Sequence, residues 1–238
     1  MHGREPEEES NRGRASRGPR SGSRGDGSVA LRFRIAQLLR VPDGLVGRAV
    51  SAYSGLFEVN DERRAEIYRD IGSDFARQGK LAEAQEALRR TLDLRPDDAE
   101  AWLALGMTHM HQEAPAAAAE CFERACALAP DAYDAHFQLA QALAELDHQE
   151  EAVAELQKAL EARPDEAEAA YQMGVLLDGL GRLPEAVAAF EKAITLSPKV
   201  ATYHQILGFT LESLGRRDEA IACFKKALHL ERRTSPGR

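Results

Sequence analysis

Residues 99–130 read AEAWLALGMTHMHQEAPAAAAECFERACALAP. The block reads as two stretches of helical spacing, with a short turn between them and a proline at the end. It recurs along the chain. Pro96, Pro130, Pro164 and Pro198 stand 34 residues apart, and so do Ala84, Ala118, Ala152, Ala186 and Ala220. Four residues after each alanine comes a bulky apolar side chain, at Leu88, Phe122, Leu156, Phe190 and Phe224. A small residue keeps the same beat at Gly72, Gly106, Ala140, Gly174 and Gly208. A period of this length marks stacked units, each too small to bury its apolar face alone.

The unit over residues 167–200 shows the local grammar. The spacing predicts a first helix over residues 167–180 and a second over 184–196. Gly181-Arg182 supplies the turn, because glycine enters the left-handed conformation that ends a helix at little cost. Pro184 falls in the first turn of the second helix, where the missing N–H has no partner to lose, and Pro198 ends that helix. Gly174 and Ala186 are expected to face each other and let the backbones approach, while Met173 and Phe190 fill the remaining space. Some units depart from the pattern. Thr91 takes the place of a late alanine, and Arg232 that of the last closing proline. Glu113 and Asp147 stand where other units have Gly79, Gly181 and Gly215, so these two turns are expected to adopt another shape.

Trp102, Leu105, Gly106, Ala118, Phe122, Ala125 and Pro130, with Tyr68, Ile71, Gly72, Phe75, Ala84 and Leu88, resemble the signature of the tetratricopeptide repeat. The resemblance implies an all-α, right-handed α-solenoid of helical hairpins. Five full repeats are expected, over residues 65–98, 99–132, 133–166, 167–200 and 201–233. A degenerate N-terminal hairpin (29–64) would precede them, with tails at 1–28 and 234–238.

Charge and composition narrow the function. The net charge is −8, divided as +3 over residues 1–64 and −11 over the remainder. An acidic array argues against nucleic acid, whose phosphates are held by basic patches. Residues 1–28 hold no apolar stretch of a secretory signal, and no run approaches the ~18 apolar residues of a membrane span; a cytoplasmic protein is expected. Cys121 and Cys126 stand five apart, an unsuitable spacing for a redox or zinc pair, and with Cys223 they read as ordinary thiols. His109 and His111 would point to different faces of one helix. No nucleophile–base constellation or phosphate-cradling loop is found, so no enzyme activity, cofactor or metal is expected.

The N-terminal segment divides at Ser28. Residues 1–28, rich in Arg, Gly and Ser, cannot form a core. Beyond it, residues 29–40 place Leu31, Ile35, Leu38 and Leu39 on one helical face, while Arg32, Arg34 and Arg40 make the helix basic. After the Pro42-Asp43-Gly44 turn, a second helical stretch carries Tyr53, Leu56 and Phe57. The hairpin either caps the first repeat or is a module whose apolar face another surface must cover. At the other end, Phe224, Leu228 and Leu230 are expected to leave an apolar edge.

In such arrays the first helices line the concave face. By repeat position the candidate groove residues are Arg69 and Ser73 in the first unit, and Leu103, Met107 and Met110 in the second. Phe137 and Gln141 follow in the third, Tyr171, Val175 and Asp178 in the fourth, and Gln205 and Phe209 in the fifth. An apolar floor in an acidic framework suits a basic amphipathic helix. The helix over residues 29–40 is of that kind, bound within one chain or by a neighbour.

The stretch Gly55-Leu56-Phe57-Glu58-Val59-Asn60-Asp61-Glu62, followed by Ile67-Tyr68-Arg69-Asp70-Ile71-Gly72, resembles the entry to the repeats in the MamA family, magnetosome-associated tetratricopeptide proteins of magnetotactic bacteria. The resemblance implies a non-enzymatic scaffold, peripheral on the cytoplasmic face of the magnetosome membrane. It also implies a homo-oligomer, built by docking the N-terminal hairpin into a neighbour's groove, that recruits other magnetosome-associated proteins. The other reading is a monomeric adaptor of a different cell-envelope machine, such as secretion or pilus assembly.

Overall fold

A computed structural model describes residues 60–234. The tail at 1–28, most of the hairpin at 29–64, and its residues Leu31, Ile35, Leu38, Leu39, Tyr53, Leu56 and Phe57 lie outside the described residues, as do residues 235–238. Among the described residues there are ten helices and no strand. They are α1 (Asp61–Arg77), α2 (Leu81–Leu94), α3 (Ala99–His111), α4 (Pro115–Leu128), α5 (Tyr133–Glu145), α6 (Gln149–Ala162), α7 (Ala167–Gly179), α8 (Leu183–Leu196), α9 (Ala201–Ser213) and α10 (Arg217–Thr234). Consecutive helices pack as hairpins, each second helix also meets the first helix of the next hairpin, and α1–α3 and α3–α5 touch as well. This is an all-α tetratricopeptide solenoid, in which each unit contacts its neighbours in sequence.

The turn inside each hairpin follows one plan. Gly79, Glu113, Asp147, Gly181 and Gly215 all have φ between 57° and 76°. The two non-glycine turns therefore keep the common shape, contrary to the expectation from sequence. The cause is the hydrogen bonding. The residue after each turn position donates to the carbonyl five back: Lys80 to Phe75, Ala114 to His109, His148 to Leu143, Arg182 to Leu177 and Arg216 to Leu211. That pairing is a Schellman closure, which requires a left-handed residue. It outweighs the strain of about 1 kcal/mol on a side-chain-bearing residue. Asp147 gains a further bond, since its Oδ1 accepts from Gln149 Nε2 at 3.0 Å.

The core runs along the repeat beat. Ala84, Ala118, Ala152 and Ala186 are wholly buried, as are Leu88, Phe122 and Phe190. Gly174 lies against the Phe190 ring, a neighbour the sequence did not pair with it, while at the matching place in the first hairpin Gly72 meets both Leu88 and Ala84 O. A Cβ built on Gly174 would stand 2.6 Å from Phe190 Cε1. Thr91 keeps the alanine position by donating its buried hydroxyl to Ala87 O at 3.2 Å. With Arg232 in place of a closing proline, α10 continues to Thr234 and reaches 18 residues, where α2, α4, α6 and α8 each have 14. On α10 the exposed apolar side chains are Ile221 and Leu228; Phe224 turns inward to meet Phe209 edge-on at 5.0 Å.

One contact ties hairpin to hairpin at three of the four junctions. The closing proline's carbonyl accepts a hydrogen bond from a ring N–H six residues later. Trp102 Nε1 donates to Pro96 O at 2.9 Å, His136 Nε2 to Pro130 O at 2.9 Å, and His204 Nε2 to Pro198 O at 3.1 Å. Ala170 holds the corresponding position after Pro164. Asp98 adds a polar staple between hairpins. It is 3 % exposed, caps α3 by accepting from Ala101 N, and pairs with Arg69 on α1 at 3.0 Å.

Candidate functional site

The twelve candidate residues lie on the first helices, and none of them is buried. Met107, Val175, Gln205 and Phe209 are exposed, and Phe209 presents half its surface. Leu103, Met110, Phe137 and Tyr171 are half-buried against the core beneath. Phe137 stacks on Tyr133 at 5.4 Å, and Tyr171 stacks on Tyr203 at 4.8 Å. Arg69 and Asp178 have structural partners. Arg69 pairs with both Asp98 and Glu100, and Asp178 Oδ1 accepts from Thr210 Oγ1 at 2.7 Å.

Three of the twelve converge on one cleft. Gln141 on α5, with Tyr171 and Val175 on α7, line a cleft of about 420 Å³, floored by Ala140, Leu156 and Leu176. Glu145, Glu168 and Gln172 stand at its polar margin. The helix spacing explains the convergence: Tyr171 and Val175 are four apart and so lie on one face of α7. The margin is held in place. Tyr203 donates its hydroxyl to Glu168 Oε2 at 3.1 Å; burial, then Glu168, pushes the Tyr203 phenol up to about 12. Burial and Glu168 likewise raise the Tyr171 phenol. The cleft thus offers an apolar floor, an aromatic wall and carboxylates, a combination suited to a peptide segment with apolar and basic side chains. A second cleft of about 470 Å³, between α6, α7 and α8, holds none of the groove residues.

A further cluster was not visible in the sequence. Cys126 on α4, His136 on α5 and Glu155 on α6 bring one ligand-type atom each within 4.8 Å of one another. They line an opening of about 410 Å³ with Glu123, Pro130, Leu139 and Lys158. His136 Nδ1 lies 2.6 Å from Glu155 Oε2, and Lys158 Nζ donates to Glu155 Oε1 at 2.7 Å. Burial first, then Glu155, pushes the Cys126 thiol up to about 11. Burial does the same to Cys121 on the other side of α4. All three cysteines are free thiols. The cluster escaped notice because its members are separated by ten and nineteen residues. Only the repeat register, which stacks α4, α5 and α6, brings them together.

Comparison with known proteins agrees with this architecture. A family model described as the cytochrome c-type biogenesis protein H TPR domain matches residues 73–202, and the tetratricopeptide repeat model matches residues 201–234. The chain belongs to the tetratricopeptide repeat family. Within it, the chain is similar to MamA: a crystal structure of MamA is 31% identical, with a TM-score of 0.67, covering 69% of this chain and 96% of that one. MamA from Desulfovibrio magneticus RS-1, residues 41 to the end, is 26% identical with a TM-score of 0.68, covering 73% and 98%. YrrB, described as a tetratricopeptide protein with an unusual peptide-binding site, shares the fold at 23% identity and a TM-score of 0.67, covering 76% and 92%. No protein of curated function matches the sequence. Among the described residues, no helix is long and apolar enough to cross a membrane.

Proposed function

We propose that this chain is a self-assembling scaffold of the MamA type, peripheral on the cytoplasmic face of a magnetosome membrane, where it gathers other magnetosome-associated proteins. The observation that carries the reading is the likeness to MamA across nearly the whole of the solved chain at 31% identity. An interaction scaffold is what the fold itself supports, since its first helices expose Met107, Val175, Gln205 and Phe209 and border a formed cleft. The basic, apolar helix expected over residues 29–40 is the ligand that matches this acidic and aromatic cleft. Docking between chains would build a head-to-tail assembly.

The test is mass by light scattering on a size-exclusion column, with the full chain and residues 60–238 at several concentrations. Large species that grow with concentration from the full chain, and a monomer from the shorter one, are expected. Monomers from both would overturn self-assembly. They would favour the second reading, a single-partner adaptor of a cell-envelope machine, toward which the match to the cytochrome c-type biogenesis TPR domain points.

A further inference from the structure

We infer that Cys126, His136 and Glu155 form a binding site for a zinc-class divalent cation at the junction of the second and third hairpins. The donor set is one thiol, one imidazole and one carboxylate, drawn from α4, α5 and α6, with all three ligand atoms within 4.8 Å of one another. Sulfur, nitrogen and oxygen ligands in this number, with a fourth position left for water, are what Zn²⁺ accepts in exchangeable sites.

The surroundings orient these atoms as a metal site requires. His136 Nε2 donates to Pro130 O at 2.9 Å. That bond fixes the ring, so Nδ1 is the nitrogen turned toward Glu155. A backbone carbonyl on the far nitrogen is the usual outer support of a metal-bound imidazole. Lys158 holds Glu155 Oε1 at 2.7 Å and leaves Oε2 aimed at the ring. The opening of about 410 Å³ beside the cluster gives a route of entry and room for water.

The geometry needs one small adjustment. Nδ1 and Oε2 are 2.6 Å apart, at hydrogen-bonding distance. Bonds of about 2.0 Å to a tetrahedral ion set ligands about 3.3 Å apart, so the pair must open by roughly 0.7 Å. The cation binds between Nδ1 and Oε2, and the Cys126 thiol gives up its proton to solvent as its sulfur becomes a ligand.

The chain contains its own control. Trp102 and His204 make the same bond to a proline carbonyl, so that bond alone is a feature of the repeat. One period before and two periods after Cys126, the corresponding residues beside Trp102 and His204 are Leu92 and Ile194, neither of which can ligate. The thiol and carboxylate join the ring at a single junction, and the proline contact does not require them.

Titration of the full, reduced chain with Co²⁺ tests the site. One Co²⁺ per chain is expected, with a near-ultraviolet thiolate-to-cobalt band and the visible absorption of a tetrahedral ion. Cys126→Ser should abolish the thiolate band, while Cys121→Ser and Cys223→Ser keep it. Glu155→Gln, which leaves the His136 ring on Pro130, should weaken binding by at least about tenfold. Zn²⁺ should raise the melting temperature of the parent and not of Cys126→Ser. Absence of the band, its survival in Cys126→Ser, or unchanged affinity in Glu155→Gln would each overturn the site.

Discussion

Gly106 lies against the ring of Phe122, so closely that a Cβ added to the glycine would stand 2.5 Å from the ring's Cε1. The same sixteen-residue relationship joins Gly174 to Phe190 and Gly208 to Phe224, each at 2.6 Å. In the third hairpin the pair is Ala140 and Leu156. A smaller residue on the second helix accompanies a methyl group on the first. Volume is shared in this way from the second hairpin to the fifth, whereas in the first Gly72 meets Leu88, whose Cγ would stand 2.7 Å from an added Cβ. Gly106→Ala should destabilise the chain by about 1–3 kcal/mol, because a fully buried ring has nowhere to move. Combining Gly106→Ala with Phe122→Leu, which copies the Ala140–Leu156 pair, should cost less than the sum of the single changes. Denaturant unfolding of the four proteins in this cycle measures it; strict additivity would contradict the shared-volume account.

Glu113 and Asp147 carry side chains at φ of 57° and 64°. Glu113→Gly should therefore stabilise by up to about 1 kcal/mol, and Asp147→Gly by less, because it also loses the bond from Gln149. Thermal melts of the two variants check this order.

The buried carboxylate of Asp98 serves three partners, the N–H of Ala101, the Arg69 guanidinium and, at 3.7 Å, the Arg95 guanidinium. Asp98→Ala removes a helix cap and leaves Arg69 with Glu100 alone, which predicts a loss of about 2 kcal/mol. Asp98→Asn keeps the cap bond and should lose less. Equal losses in the two variants would assign the whole effect to the charge.

His109 gives a pH dependence. Burial first, and then Arg89, hold its imidazole below the ordinary value of 6.5, against smaller opposing effects of Gln112 and Glu120. Its Nε2 lies 3.3 Å from the Gln85 amide nitrogen, as an unprotonated acceptor would. The unfolded chain then takes up this proton first as the pH falls. His109 contributes stability above the ordinary value, and that contribution is lost as the pH drops from about 6.5 through the lower folded value. His109→Gln should flatten this part of the stability profile, and Arg89→Ala should raise the His109 midpoint followed by NMR.

Much of this architecture could be read in the chain before any coordinates. The 34-residue beat of Pro96, Ala118 and Phe122 placed the helices and turns closely, because each unit obeys local rules of capping and periodicity. The pairing of Gly174 with Ala186 omitted the Phe190 ring, because only packing shows which large side chain crosses the hairpin. The candidate groove residues rest on register alone. Register could not tell that Arg69 is engaged by Asp98, or that Tyr171 is clamped by Tyr203. The Cys126–His136–Glu155 cluster lay beyond motif reading, because no short spacing encodes a meeting of three helices.

The aromatic contacts of Tyr171 also decide how the cleft should be probed. Tyr171→Ala would disturb the Tyr203 stack and the core, whereas Val175 is 42% exposed and can be changed with little effect on folding. Val175→Arg places a cation beside Gln141 and Tyr171, where a basic segment is proposed to dock. The most direct measurement is fluorescence anisotropy of a labelled peptide of residues 29–59, titrated with residues 60–238 and with the same fragment carrying Val175→Arg. Saturable one-to-one binding that weakens at least about tenfold in the variant, equivalent to about 1.4 kcal/mol, is the predicted result. No binding, or equal binding to both fragments, would contradict the docking of the N-terminal segment into this cleft.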